Sequence, residues 1–125
     1  MFGRSKLDRA LDAFERQEWK RARRLFEEAL QDEERPAGHY HLGLLYWRGL
    51  GGPVDKRSAV ESFARAANDG HAGAQTAYGI ALRSGVGAAK NDDAAREQFR
   101  AAAGAQDREA MVQLATMNDP EKTQR

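Results

Sequence analysis

Three histidines, one acidic doublet and one glycine run are the residues whose types could support chemistry. Metal ligation on a helix needs imidazoles three or four residues apart, so that both face one ion. His39 and His41 are two apart and point to different sides, and His71 is remote in sequence. The 125 residues include no cysteine, so thiolate ligands and disulfides are absent together. Asp92-Asp93 could do acid–base work, but a carboxylate there more simply caps a helix. Gly49-Leu50-Gly51-Gly52 has the glycine content of a phosphate-cradling loop. Such loops follow a strand and need a lysine or a downstream acid, whereas this run joins two helical stretches. No Ser/His/Asp arrangement stands out. The expectation is a chain without catalytic, cofactor or metal site, and not an enzyme.

What remains is recognition. Net charge is +1, with 20 basic and 19 acidic residues, which argues against a protein whose main task is gripping nucleic acid. Lys20, Arg21, Arg23 and Arg24 form a basic cluster, followed by Glu27, Glu28, Asp32, Glu33 and Glu34 at helical spacings that predict mutual pairing. No apolar run reaches the length of a membrane span, and residues 1–8 lack the apolar stretch of a secretory signal. The cytoplasm is the expected location, with no membrane partner.

The elements that would position a binding surface show themselves as a repeat. From residue 38 a pattern recurs 36 positions later without a gap. Leu42-Gly43 matches Tyr78-Gly79, Gly49-Leu-Gly51 matches Gly85-Val-Gly87, and Asp55 matches Asn91. Ala59, Phe63 and Ala66-Ala67 match Ala95, Phe99 and Ala102-Ala103. A third copy opens in register, with Gly38, Ala74 and Ala110 aligned. A fixed period of this length signals stacked supersecondary units, which serve more often as surfaces than as catalytic pockets. Between the glycines the chain reads as helix, with Asp55 capping one helix and Asn91 or Asp92 another. The opening segment repeats the hairpin with a shorter loop, since Ala22, Phe26 and Ala29 stand 37 residues before Ala59, Phe63 and Ala66.

Leu42-Gly43, Tyr46, Gly49-x-Gly51, Asp55, Ala59, Phe63, Ala66-Ala67 and Gly70-His71-Ala72 follow the Sel-one-like repeat almost position by position. The chain is therefore identified as resembling that family, and its N-terminal hairpin resembles a tetratricopeptide repeat. The second copy departs with Leu82 for the usual Tyr and Gln106 for the closing Gly. The resemblance implies an all-α fold, a right-handed superhelix of antiparallel helix pairs. Its divisions would be a hairpin over 4–35, repeats over 36–71 and 72–107, a terminal helix over 108–117 and a polar tail over 118–125. The resemblance also implies a non-enzymatic scaffold or adaptor, bacterial in origin, that binds a protein or peptide.

In such stacks the first helix of each pair lines a concave groove. The groove residues expected here are Tyr40, His41, Leu44, Trp47 and Arg48 from one repeat and Thr76, Ile80 and Arg83 from the next. Aromatic and Arg anchors dominate interface energies, and Arg48 and Arg83 would form a row suited to carboxylates. Tyr40 and Trp47 could equally pack against the neighbouring hairpin. A second expected interface lies at the ends of the stack, at Leu7, Leu11 and Phe14 and at Met111, Leu114 and Met117. It would serve homo-oligomerisation or docking to an enzyme, because the third copy supplies only its first helix.

Overall fold

The computed structural model describes residues 4–31 and 35–117. The expected acidic partners Asp32, Glu33 and Glu34 and the expected polar tail 118–125 lie outside the described residues. Among the described residues there are seven α-helices and no strand: α1 Lys6–Glu15, α2 Trp19–Ala29, α3 Pro36–Arg48, α4 Lys56–Asn68, α5 Ala72–Ser84, α6 Asp92–Gly104 and α7 Arg108–Met117. Five of them, α7 through Asp107 included, start where a side chain accepts a free N–H, whereas α2 and α3 have no side-chain cap. Ser5 accepts from the Asp8 N–H, Asp55 from Ser58, His71 from Ala74 and Asn91 from Ala94. Asn91, not Asp92, is thus the cap of α6.

The helices pair as α1/α2, α3/α4 and α5/α6, and α7 packs on α6. The pairing inside each full repeat rests on one lock. A Cβ on Gly43 would lie 2.5 Å from the Phe63 ring, and a Cβ on Gly79 would lie 2.5 Å from the Phe99 ring. Only glycine lets the ring of the second helix reach the backbone of the first, and Phe63 and Phe99 are buried as a result.

A second lock joins successive units. Gly51, at φ +75°, sits against the backbone of Trp19 and Lys20, and Gly87, at φ +77°, sits against the backbone of Lys56. Each glycine loop thereby rests on the first turn of the preceding unit's second helix.

The core has two rich ends and a lean middle. Leu7, Leu25, Phe26, Leu30, Leu42 and Leu45 fill the first end, and Leu82, Phe99 and Met117 anchor the last. Between α4 and α5 the seam is Ala66, Ala67 and Ala74, flanked by Tyr40 and Tyr78.

The ends of the stack are less bare than the sequence suggests. Leu7 on α1 is 1% exposed, because Gly38 on α3 leaves room for its Cδ1 beside Leu30. Met117 is also buried, turned inward against the cluster of Leu82, Phe99 and Ala110. Leu11, Phe14 and Leu114 are half-buried, while Met111 and Val112 are 43% and 56% exposed.

Candidate functional site

Of the expected groove residues of α3, Leu44, Trp47 and Arg48 border a cleft of about 190 Å³ between α3 and α5, whereas His41 packs toward Phe14 and Phe26. The cleft walls are Leu44, Trp47, Phe63, Ala77 and Ile80, with the exposed Arg48 at the rim. The cleft stays open because Ala77 of α5 is small where Leu44 and Trp47 of α3 are large. Ala77 faces the space that Trp47 and Leu44 leave open.

Trp47 is held rather than loose. The Lys56 ammonium lies 3.9 Å from its ring centroid and donates to the Trp47 carbonyl at 2.9 Å. The Phe63 ring lies 6.2 Å away. A cation over an indole face adds electrostatic attraction to packing, so the ring is fixed in place before any ligand arrives. Lys90 plays the matching backbone role one unit later, donating to the Arg83 carbonyl at 2.8 Å. Sequence reasoning missed Lys56 because it stands nine residues from Trp47, across a loop, where helical spacing gives no signal. Phe63 was also missed as a cleft wall. It reads as a packing residue, and it borders the cleft while staying 2% exposed.

Tyr40 and His41 belong to an aromatic row. Phe14 meets His41 edge-on at 4.6 Å, and Tyr40 meets His41 at 5.7 Å and stacks on His71 at 4.7 Å. Phe14, expected at the end interface, thus shares an array with His41, expected in the groove. The Nδ1 of His41 donates to the Ala37 carbonyl at 2.6 Å. The Nδ1 of His71 accepts from the Ala74 N–H at 3.0 Å, which requires it unprotonated. Burial, reinforced by the nearby His41, lowers the His71 pKa. Among the described residues no group of three His, Cys, Asp or Glu is placed to hold a metal ion.

Two expected groove residues are placed differently. Thr76 is buried, and its hydroxyl has no hydrogen-bond partner among the described residues. It occupies the position of Tyr40 one unit on, but its short side chain cannot reach out of the packing. Arg83 is committed to α7: its Nη1 donates to the Gln113 side-chain oxygen at 2.7 Å and to the Thr116 hydroxyl at 2.8 Å. In the 36-residue register it matches Trp47, and Arg48 matches Ser84. Arg48 therefore stands at the cleft without Arg83 as a companion in a row.

The basic cluster on α2 pairs only in part. Arg21 bonds Glu18 at 3.2 Å and Arg24 lies 4.0 Å from Glu28. Arg23 instead reaches across to the next unit, donating to the Pro53 carbonyl at 3.0 Å and lying 4.4 Å from the Tyr46 ring centroid. The Tyr46 hydroxyl donates to Glu27 at 2.9 Å, and burial with that hydrogen bond pushes its pKa up to about 12. Among the described residues no helix is long and apolar enough to cross a membrane.

No protein-family model matches the sequence, and no curated protein matches it significantly. Solved structures do. A Sel1 repeat protein from Oxalobacter formigenes superimposes with TM-score 0.80 at 24% identity, covering 89% of this chain and 44% of that one. A protective antigen of uropathogenic Escherichia coli strains that displays an SLR fold gives TM-score 0.83 at 26% identity, covering 90% and 25%. Helicobacter pylori cysteine rich protein B gives 0.67 at 20%, covering 74% and 69%. The chain thus spans less than half the length of the first two. It has the all-α repeat fold of the Sel1-like repeat (SLR) structures, with a glycine–phenylalanine lock repeated in both full units.

Proposed function

We propose that the chain is a non-enzymatic interaction scaffold that holds a peptide or protein segment in the cleft between α3 and α5. One observation carries this reading: an open apolar cleft whose indole is already fixed by Lys56 and Phe63, with the exposed Arg48 beside it. A pre-positioned aromatic anchor next to a guanidinium loses little freedom on binding, which is the composition of an interface hot spot. The expected occupant presents an apolar side chain to Trp47 and Ile80 and a carboxylate to Arg48. We extend to this chain the bacterial origin of the three solved neighbours. A cytoplasmic setting is part of the proposal, since a chain without cysteine gains nothing from an oxidising compartment.

The test is affinity capture from a lysate with the wild type and with Arg48→Glu and Ile80→Glu, each checked by circular dichroism. Loss of one specific protein in both folded variants supports the cleft. Undiminished capture by both counts against it. A second reading, docking or self-association through α7, is favoured by the exposure of Met111 and Val112. Light scattering of the wild type and of Val112→Glu separates it, since only this reading requires an assembly or complex that the variant loses.

A further inference from the structure

The first half of α2 places Lys20, Arg21, Arg23 and Arg24 around a cleft of about 680 Å³, floored by Gly51, Gly52 and Pro53 of the following unit's loop. Arg23 is 9% exposed, and its guanidinium lies so close to Gly52 that a Cβ there would meet Nη1 at 2.7 Å. Its contacts are the Pro53 carbonyl and the face of Tyr46. Among the described residues no carboxylate forms an ion pair with it. Lys20 likewise has no hydrogen bond or ion pair among them, and Arg24 holds Glu28 only at 4.0 Å. Four cations line the cleft against one carboxylate, Glu27, which holds the Tyr46 hydroxyl, so an anion entering it would meet an excess of positive charge and a guanidinium already desolvated.

We propose that this cleft, separate from the α3/α5 cleft, docks an acidic peptide segment of a partner protein. Two observations select that partner. The space exceeds what a single small anion fills, since a water's share of liquid volume is about 30 Å³. Glu27 lines the same cleft, and Glu18 and Glu28 flank the run of cations on either side, so a continuous phosphate backbone would meet carboxylates as it left the cleft. Spaced carboxylate side chains fit between them, one reaching Arg23 and its neighbours reaching Lys20 and Arg24.

Fluorescence anisotropy with a labelled peptide alternating Glu and Ser, against its Gln counterpart, tests the assignment. The Glu peptide is expected to bind and the Gln peptide to bind at least about tenfold more weakly. Affinity for the Glu peptide should fall with added salt. Lys20→Glu/Arg24→Glu alters two exposed side chains, so its fold should survive by circular dichroism while affinity drops at least about tenfold. Ile80→Glu, in the other cleft, should leave this binding unchanged, which keeps the two proposals separable. Equal binding of both peptides, no binding of either, or full affinity in the folded double variant would overturn it. So would tighter binding of a single-stranded oligonucleotide than of the Glu peptide, or saturation by inorganic phosphate with no binding of the peptide.

Discussion

The α3/α4 and α5/α6 hairpins are built on one plan and finished differently. Both have the glycine–phenylalanine lock, a side-chain cap on the second helix and a lysine on the last carbonyls of the first. They diverge on the outward side of the first helix. Tyr40, Leu44 and Trp47 of α3 face Thr76, Ile80 and Arg83 of α5 in the register. The positions that agree make backbone-close contacts inside a hairpin; those that differ look out between hairpins. In this stack, the packing inside a hairpin is copied from unit to unit and the other side of the first helix is not.

That contrast breaks most sharply at the two phenylalanines. Phe63→Ala and Phe99→Ala should each lower stability by about 3–5 kcal/mol, measured by urea unfolding. Phe99 should sit at the upper end, because Phe63 already borders an open cleft that can close in.

The glycines sharpen it. Gly79→Ala drives a methyl into Phe99, with overpacking of about 1–3 kcal/mol against a helix-propensity gain of about 1 kcal/mol. Gly43→Ala should cost less, since the Phe63 ring has the cleft to move into. Equal losses in thermal unfolding would show that the cleft gives Phe63 no freedom.

The next contrast concerns the two arginines. Arg83→Ala removes hydrogen bonds that anchor α7 and should cost about 1 kcal/mol, with faster amide exchange over α7. Arg48→Ala should stay within about 0.5 kcal/mol of wild type.

Caps give the smallest difference, and pH separates them. Asn91→Ala should cost about 1 kcal/mol at any pH, since an amide does not titrate. Asp55 accepts from the Ser58 N–H and hydroxyl, which holds its carboxyl below the ordinary range. Its stabilisation is complete above the unfolded value near 4 and is lost as pH falls through the lowered folded value. Acid unfolding of Asp55→Asn should therefore be shallower than that of the wild type. His71 follows the same sign at higher pH: its lowered pKa means that its cap is complete above the unfolded value of 6.5 and weakens below it. In thermal melts, His71→Asn should remove that step.

The repeat register made the hairpins legible and marked Gly43/Gly79 and Phe63/Phe99 as shared positions; that each glycine meets its phenylalanine is long-range and came from the fold. Caps were legible for the same reason, as Asp55 and Asn91 are short acceptors at one register position. The surface was legible only in outline. Leu7 seemed bare because it opens the first helix, yet Gly38, distant in sequence, makes room for it. Thr76 seemed outward because Tyr40 is, but exposure depends on side-chain length as well as register. Arg83 seemed free because its partners on α7 lie about thirty residues away. Arg23 seemed one more member of a self-paired helix face, and its reach to Pro53 is long-range in the same way. Local spacing cannot show such contacts.

The seating of Gly51 and Gly87 on the backbone of the preceding helix has a consequence for how the chain comes apart. Neighbouring units share a contact between main chains, which no rotamer change can release. A stack whose coupling lies in the backbone should lose its units together, in a single cooperative transition, rather than fray from one end. The short array would then behave thermally as one body, even though its sequence is written in instalments.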